Sequence, residues 1–411
     1  MDGYLETAVN DTTTFPIPRR AGWRQGWILV FSGFLPIMAI LALAPTLPTL
    51  LAHFSDVPNA RLMVPLLITA PSACIALFAP AAGAIADRFG RRRLMLGAMV
   101  FYGVGGLIPF FVDSFWAVVA GRFVIGFGEA GVLTVVNTLL ADYYEEKERH
   151  RWLMIQGVVG SILGTLTVAG SGFLASHGWQ WPFLVYAVAI PIFIASALYL
   201  FEPQRMRSAP GRPTVASLPF PYKVGMLVCG ATMLMSTIYY VQVINFSLLL
   251  QELGVADPRS IGMISAVPTL GVPIGAVLFR YTTRFGARHQ VLAILALYAV
   301  GLTGIGLSGH YTTALGFAFV QQIGNGALIP VLIAWTMSKF AFEHRGRAIG
   351  WWASSFFIAQ FLSPAVVNAV RGEAGGMQGA FTAFGILCAV LIVVMGVARL
   401  RPSAAKAGSV A

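Results

Sequence analysis

Between two long apolar runs, at 62–86 and 94–112, the chain reads Gly83-Ala84-Ile85-Ala86-Asp87-Arg88-Phe89-Gly90-Arg91-Arg92-Arg93. Each run is close to the roughly 20 residues that a helix needs to cross a bilayer. The four arginines place this connection in the cytoplasm, because basic residues concentrate in cytoplasmic loops of membrane proteins. The stretch therefore predicts a short cytoplasmic turn between two membrane-spanning helices.

The rest of the chain repeats this alternation of apolar runs and basic connections. Its composition is 57% hydrophobic and 10% charged, whereas soluble domains carry about 25% charged residues. The fold class that we predict is therefore an all-α membrane protein with twelve transmembrane helices. The twelve apolar runs lie at 26–52, 62–86, 94–112, 115–141, 152–175, 181–201, 224–251, 260–281, 289–309, 313–340, 347–371 and 377–399.

The basic residues give the same topology independently. Twelve crossings put both termini on one side, and if that side is the cytoplasm, 23 of the 27 Lys and Arg residues are cytoplasmic. The net charge of +11 then reflects topology and not nucleic-acid binding. Residues 1–25 are polar and show no cleavable signal peptide. We predict a multi-pass protein of the bacterial inner membrane with both termini in the cytoplasm.

A proline-rich connection divides the helices six and six. Residues 202–222 contain five prolines together with several arginines, a composition suited to a linker between two bundles that move against each other. The predicted organisation is a cytoplasmic tail at 1–25, six-helix bundles at 26–201 and 223–400 joined by the linker 202–222, and a second cytoplasmic tail at 401–411.

The two halves also resemble each other at a constant offset of 196 residues. This offset pairs Asp87 and its arginine-rich loop with Thr283 and a similar loop, and it pairs Glu129 with Asn325. Further pairs are Gly128 with Gly324 and Arg151 with Arg347. A shared offset through separate stretches predicts duplicated halves. In the two pairs that contain an acidic residue, that residue, Asp87 or Glu129, lies in the first half, so we expect proton chemistry there.

The loop 83–93 resembles the signature of the major facilitator superfamily, Gly-x-x-x-Asp-(Arg/Lys)-x-Gly-x-(Arg/Lys)-(Arg/Lys). This resemblance implies secondary transport by two pseudo-symmetric six-helix bundles. It also implies a cytoplasmic gate that closes in the outward-open state. Carried over residue by residue, the gate comprises Gly83, Asp87, Arg88, Gly90 and Arg92.

The fourth apolar run contains two charges, in Gly121-Arg122-Phe123-Val124-Ile125-Gly126-Phe127-Gly128-Glu129-Ala130. A charge at the bilayer centre costs at least about 2.5–3.5 kcal/mol by insertion scales, so such residues usually have a function. The pattern Arg-x-x-x-Gly-x-Gly resembles proton-coupled members of the superfamily, which implies proton coupling by Glu129 and Arg122. The alternative is that both are structural and are satisfied by polar neighbours such as Gln156, Asn245 or Asn325.

The subfamily stays open between two resemblances. Gly128-Glu129-Ala130 is similar to a motif of spinster-like transporters, but the acidic residue and arginine of their first helix are missing here. The first run instead contains Ala44-Pro45-Thr46-Leu47-Pro48, which is similar to the first helix of drug:proton antiporters.

Polar and aromatic residues in the helices that line the path of this family are candidates for substrate binding. Aromatic and amide side chains suit an amphipathic or aromatic organic molecule, although for any single aromatic residue helix packing or the interfacial belt is the commoner role. The candidates are Arg122, Glu129, Asn137, Gln156, Tyr239, Tyr240, Gln242, Asn245, Gln321, Asn325, Trp352 and Phe356.

The function that we predict is proton-coupled secondary transport of such a molecule, as an exporter working by H⁺ antiport and alternating access. The alternatives are a proton symporter that takes up an organic anion and a non-transporting membrane sensor or scaffold. We expect no enzyme activity, catalytic residue, metal site or cofactor, the driving force being the proton gradient. The expected partners are a small-molecule substrate, protons and the lipid bilayer, with no nucleic acid, and the protein is expected to be a monomer.

Overall fold

The computed structural model describes residues 21–203 and 219–397, and within these ranges every regular element is helical. The N-terminal half begins with a helix that is interrupted at Ala44–Thr46 by a 3₁₀ turn and ends with a 3₁₀ segment, Trp181–Val188, that leads into α7. Its α-helices are α1 (Trp23–Leu41), α2 (Leu47–His53), α3 (Ala60–Phe89), α4 (Arg91–Phe111), α5 (Phe115–Tyr143), α6 (Glu146–Ala175) and α7 (Ala189–Tyr199).

The C-terminal half has the same order of long helices. Short 3₁₀ turns at Thr283–Phe285 and Phe342–His344 precede two of them. Its α-helices are α8 (Tyr222–Glu252), α9 (Pro258–Thr269), α10 (Gly271–Thr282), α11 (Gly286–Leu307), α12 (Tyr311–Lys339), α13 (Arg345–Glu373) and α14 (Met377–Val397).

Eleven helical stretches in the described ranges are long and apolar enough to cross a membrane. One of them, Pro258–Leu307, has 50 residues, which at 1.5 Å per residue would extend about 75 Å, more than twice the hydrocarbon thickness. The chain turns within this stretch at Gly286, whose φ of +77° lies in the region that favours glycine. The stretch therefore supplies two crossings, α9 with α10 and then α11. The all-α fold class with twelve crossings is confirmed.

The helix ends that adjoin the arginine-rich loop gather at one end of the N-terminal half. Gln25 Nε2 donates to Tyr199 O at 3.0 Å, and the Tyr144 hydroxyl donates to Gly22 O at 2.7 Å. The backbone N–H of Arg91 donates to Glu202 Oε1 at 2.7 Å. The starts of α1, α4 and α6 and the end of α7 thus share one side. We call this the basic side; its cytoplasmic orientation stays a prediction.

Four hydrogen bonds between described residues join the two halves. Three of them lie between the middle of the helices and the side opposite the basic side, where the backbones of α6 and α9 also touch at Gly172 and Gly262; the fourth, Ser354 to Ala76, lies near mid-helix, towards the basic side. The donors and acceptors are Thr69 Oγ1 to Phe361 O (3.2 Å), Ser354 Oγ to Ala76 O (3.1 Å), Ser247 Oγ to Ala44 O (2.6 Å), and the hydroxyl pair Thr165 and Thr269 (2.7 Å).

Towards the basic side the halves part. The last turns of α3 include Ile85, which is 43% accessible, and among the described residues no hydrogen bond between the halves lies nearer the basic side than Ser354 to Ala76. The protein is therefore closed on the side opposite the basic side and open towards the basic side.

Candidate functional site

Arg122 is completely buried in α5 and makes four hydrogen bonds. Its Nε donates to Leu67 O at 3.2 Å and one Nη donates to the Tyr186 hydroxyl at 2.7 Å. The other Nη donates to Ile68 O at 2.8 Å and to Ala39 O at 3.3 Å. These oxygens replace the water that the guanidinium loses on burial, which otherwise makes a buried charge costly.

Two of the three carbonyls that bind Arg122 lack their usual helical donor because two helices are interrupted. Leu67 O would normally accept from the residue four positions on, but that residue is Pro71, which has no N–H. Ala39 O is free because α1 ends two residues later and the N–H of Leu43 bonds to Ile40 O at 3.2 Å instead. Arg122 therefore donates to two carbonyl oxygens that a proline and a helix end leave without their usual backbone donor.

Two glycines let α5 approach its neighbours closely enough for these contacts. A Cβ on Gly126 would lie 2.6 Å from the Cβ of Cys74 in α3, and one on Gly128 would lie 2.6 Å from Ala98 O in α4. Both separations are far below van der Waals contact. The pattern Arg-x-x-x-Gly-x-Gly thus packs α5 directly against α3 and α4 and brings Arg122 to the freed carbonyls.

Glu129 directly follows Gly128 and is only 3% exposed. Its Oε1 has no hydrogen-bond partner among the described residues. Glu129 is close enough to interact electrostatically with Cys74 in α3 and, across the interface between the halves, with Tyr240 in α8. The carboxyl group is therefore buried on α5, interacts electrostatically with a tyrosine of the other half, and has an oxygen without a partner among the described residues.

Arg122 and Glu129 are not an ion pair. Seven residues separate them on α5, or about 10 Å along the helix axis, and all the hydrogen bonds that Arg122 makes to described residues go to carbonyl or phenol oxygens. The two groups interact only through space. In this state the hydrogen bonds of Arg122 join α5 to α1 and α3. Glu129 is the charged residue of α5 whose carboxyl oxygen Oε1 has no hydrogen-bond partner among the described residues.

In the second half, the residue at the position that corresponds to Glu129 has hydrogen-bond partners. Its repeat counterpart, Asn325, is 2% exposed and accepts hydrogen bonds from the Tyr298 hydroxyl at 2.6 Å and from Gln321 Nε2 at 3.1 Å. The offset of 196 also pairs Tyr298 with Tyr102. Tyr102 donates to Leu35 O at 2.8 Å, so the tyrosine that could satisfy Glu129 is bound elsewhere.

An aromatic cluster of the second half includes Tyr240, the residue of that half that interacts electrostatically with Glu129. Tyr239 and Tyr240 have ring centroids 4.7 Å apart, and Phe356 lies 5.7 Å from Tyr240 and 5.5 Å from Trp352. The buried indole Nε1 of Trp352 has no hydrogen-bond partner among the described residues. The structure therefore brings together the four predicted aromatic residues, with an unused donor beside them.

The predicted amide residues of the second half have three different surroundings. Gln321 and Asn325 belong to the network around Tyr298, and Gln242 borders a small cavity of about 30 Å³ between the halves, with its Oε1 unpartnered among the described residues. A cavity of this volume can hold a single water molecule. Asn245 donates only to Val241 O of its own helix, at 2.9 Å.

Two further candidates lie in the N-terminal half. Gln156 is half-buried, with an Oε1 that has no partner in the described part of the chain. A Cβ on Gly33 would lie 2.0 Å from its Nε2, so α1 and α6 touch at this point. Asn137 is exposed and donates to Leu133 O of its own helix at 2.9 Å, which gives it no contact with the other candidates.

The predicted gate residues lie on the basic side. Asp87 is exposed and makes no hydrogen bond or ion pair with a described residue. Arg88 lies over the Phe89 ring, and Arg92 donates to Ala197 O at 2.6 Å. Gly90 has a φ of +97°, which makes the tight turn possible. In this open state Asp87 has no partner in the second half, so its role in closing the gate stays a prediction.

Sequence reasoning missed Tyr102 and Tyr186, two fully buried tyrosines of the site. Tyr102 could have been found, because the repeat offset pairs it with Tyr298. Tyr186 has no such signal: its counterpart at the same offset is Thr382, and only the folded chain brings it to Arg122.

A scan against family models matches the Major Facilitator Superfamily over residues 29–223 and 228–411. The class C tetracycline resistance protein of Escherichia coli is 25% identical over 72% of this chain and 76% of its own length. The inner membrane transport protein YajR of Escherichia coli K12 is 24% identical over 96% of this chain and 86% of its own. Other matches, with fungal and enterobacterial proteins, span only 18% to 37% of those proteins' lengths.

Among solved structures, a bacterial homolog of the human lysosomal transporter spinster, in an inward-facing and occupied conformation, superposes with a TM-score of 0.69. It is 16% identical, and the superposition covers 92% of this chain and 98% of that one. At this identity the likeness shows the fold alone, whereas the family model matches nearly the whole chain. The chain belongs to the Major Facilitator Superfamily, a family of membrane transporters and not of enzymes.

Proposed function

We propose that the protein is a proton-coupled secondary transporter that works by alternating access, with Glu129 as the residue that takes up and releases the proton. The observation that carries this proposal is the burial of Glu129 on α5 with an Oε1 that has no partner among the described residues. An ionised carboxylate without a donor is costly to bury, while a protonated one is much less so. A change in hydration as the halves move would therefore change how readily Glu129 holds a proton.

The substrate that we propose is an amphipathic or aromatic organic molecule. The cluster of Tyr239, Tyr240, Trp352 and Phe356 offers ring faces, and the Trp352 indole offers a free donor. Such a lining suits a molecule with an apolar body and few polar groups. Export by antiport agrees with the names of relatives such as the tetracycline resistance protein.

Uptake of an organic anion by symport is less well supported. Arg122 is the cationic residue nearest to Glu129 in sequence, and its four hydrogen bonds engage all three of its nitrogens with oxygens of the protein itself. A substrate carboxylate would have to displace these carbonyls. We therefore assign Arg122 a positioning role for α5.

The location that we propose is the bacterial inner membrane, with the basic side in the cytoplasm and the protein acting as a monomer. The charge asymmetry of the loops supports this orientation. The name of the relative YajR, an inner membrane transport protein, supports the same membrane. In that orientation the described state faces the cytoplasm.

The proton assignment is tested with Glu129→Gln in proteoliposomes. A substrate is first selected by thermal-shift screening of the purified protein against aromatic and amphipathic compounds. We expect the variant to lose substrate flux driven by ΔpH, because a neutral amide cannot carry the proton. Exchange of labelled substrate without a pH gradient should persist, because the binding site stays intact. Entrapped pyranine, a pH-sensitive dye, measures the proton movement directly.

Glu148→Gln is the matched control, because it removes an exposed carboxylate near the start of α6 without touching the site. It should retain both driven flux and exchange. Wild-type ΔpH-driven flux in Glu129→Gln would contradict the proton assignment, and loss of exchange as well would assign Glu129 to substrate binding.

A further inference from the structure

A recess of about 630 Å³ opens at the basic side of the N-terminal half, between the α3–α4 turn and the chain that follows α7. Arg88, Arg92 and Arg93 line it together with Glu202, and Phe89 and Leu198 form apolar parts of its wall. The recess lies apart from Glu129 and the aromatic cluster, which are at mid-membrane, so the proposed transport function does not use it.

The one carboxylate of the recess is already engaged. Glu202 accepts the backbone N–H groups of Arg91 at 2.7 Å and Arg92 at 2.9 Å, which satisfies the first turn of α4. Its carboxylate forms no ion pair with a described arginine. Two other acids are nearby, and neither lines the recess: Asp142 pairs with Arg91, and Asp87 directly precedes Arg88 in the chain.

The lining arginines keep most of their donors free. Arg92 uses one nitrogen for Ala197 O, while its Nε is buried without a partner among the described residues. Arg88 lies over the Phe89 ring, and Arg93 is exposed. Three guanidiniums therefore face one carboxylate that is bound to the backbone, and the recess carries an uncompensated positive charge that suits a phosphate group.

The rim of the recess is apolar and lies at the level of the lipid headgroups. Leu198 is 70% exposed and Phe89 is 56% exposed, and both are at the ends of membrane-spanning helices. Nearby, Arg24 lies between the rings of Trp23 and Tyr199, which is typical of an interfacial belt. A ligand held here would have its charge against the arginines and its apolar part against the rim.

We propose that this recess binds the phosphate group of an anionic phospholipid from the leaflet on the basic side. Basic pockets between transmembrane helices recognise such headgroups through their charge. The arginines bind the phosphate oxygens, and the acyl chains lie along Leu198 and Phe89. The chemistry that the site recognises is a phosphate ester on an apolar chain, which separates this ligand from free phosphate.

The C-terminal half contains a natural comparison. At the offset of 196, Arg284 corresponds to Arg88 and lies over Phe285 in the same way, and Arg288 corresponds to Arg92 and donates to Met395 O. Where the first half has Arg93, however, the second has His289. The second half therefore keeps two of the three arginines, and we expect it to bind the lipid more weakly.

The test uses the full-length protein in detergent and native mass spectrometry, titrated with phosphatidylglycerol, phosphatidylcholine and inorganic phosphate. We expect phosphatidylglycerol to bind more tightly than phosphatidylcholine. Arg93→Gln should weaken phosphatidylglycerol about fivefold, the effect of removing one basic residue at a membrane surface, and Arg88→Gln/Arg93→Gln should weaken it at least about tenfold. Arg284→Gln, which removes the same charge from the other half, should leave this affinity unchanged.

Three outcomes would overturn the proposal. They are equal affinity for the two lipids, an equal loss in Arg284→Gln and Arg93→Gln, and inorganic phosphate binding as tightly as phosphatidylglycerol. Arg93 is exposed, so its substitution should preserve folding, and size-exclusion chromatography with circular dichroism checks this. The readout is lipid affinity and not transport, so it is independent of the proton assignment.

Discussion

Arg122 is buried in α5 without a carboxylate beside it. Its acceptors are three main-chain carbonyls and a tyrosine hydroxyl, and carbonyl oxygens do not titrate. The hydrogen bonds of Arg122 can therefore persist whether Glu129 is protonated or ionised. This arrangement separates the permanent charge of α5, which holds helices together, from the group that we propose to exchange protons.

The positioning role of Arg122 predicts a large effect of a conservative substitution. Arg122→Lys keeps the charge but cannot reach Leu67, Ile68 and Ala39 with one ammonium group at the guanidinium distances. We expect a loss of about 2–3 kcal/mol in folding free energy, since hydrogen bonds of charged groups contribute about 1.5–3 kcal/mol. Thermal unfolding in detergent, followed by intrinsic fluorescence, measures the effect.

Tyr186→Phe is the smaller, matched change, because it removes one of the four acceptors of Arg122. The same hydroxyl donates to Ala39 O at 2.8 Å, so the change removes two hydrogen bonds and should cost about 1–2 kcal/mol, less than Arg122→Lys. If Arg122→Lys were as stable as the unchanged protein, the carbonyl contacts would have no structural role and Arg122 would be free to bind substrate.

At the scale of helices, α5 depends on its glycines for contact with α4. A Cβ added at Gly128 would lie 2.6 Å from Ala98 O and 2.7 Å from Tyr102 N. Both atoms belong to the backbone, which cannot rotate out of the way. We expect Gly128→Ala to lower the apparent Tm strongly and to reduce the yield of monodisperse protein, as overpacking of a tight interface does.

Gly157→Ala provides the control for this prediction. Gly157 lies within α6 and has no atom within 4 Å of an added Cβ. The change should be neutral or should raise stability slightly, since alanine is the better helix former by about 1 kcal/mol. Equal effects of the two substitutions would show that α4 and α5 are not in close contact at Gly128.

Apolar patterning predicted the helices well where a helix is continuous. The run at 115–141 corresponds to α5, Phe115–Tyr143, and the run at 313–340 to α12, Tyr311–Lys339. It did not predict the break between α9 and α10 or the 3₁₀ segment Trp181–Val188. Hydropathy measures how apolar a segment is and does not distinguish one kind of apolar helix from another.

For the molecule as a whole, the described state depends on the seam between the halves. The hydroxyls of Thr165 in α6 and Thr269 in α9 lie 2.7 Å apart, so cysteines at these positions should form a disulfide. We expect oxidation of Thr165→Cys/Thr269→Cys to lock the seam and block substrate flux, and a reductant to restore it. Flux in proteoliposomes, before and after reduction, is the measurement.

The background for this experiment replaces Cys74, Cys229 and Cys388 with alanine, and each single cysteine variant is the control. The single variants should respond to neither oxidant nor reductant. Unchanged flux in the fully cross-linked double variant would mean that the halves do not separate at α6 and α9 during transport.

The candidate site was only partly predictable on this scale. The rarity of an acidic residue in an apolar run pointed to Glu129, and the repeat paired it with Asn325. The partners of Arg122 were not predictable, because main-chain carbonyls are present at every residue and only a break in a helix frees them. The positive charge of the recess was visible in the sequence as the four arginines within 88–93. The hydrogen bonds between Glu202 and the first turn of α4 were not predictable.

The seam between the halves has a consequence for how this transporter can evolve. Three of its four hydrogen bonds end on main-chain carbonyls, of Phe361, Ala76 and Ala44, which no substitution removes. Only the hydroxyl donors can be gained or lost by mutation, and each such bond contributes about 0.5–1.5 kcal/mol. Mutations can therefore change the preference for one facing state in small, nearly independent steps, because they add or remove a hydroxyl donor. The main-chain carbonyls that accept from these donors stay in place.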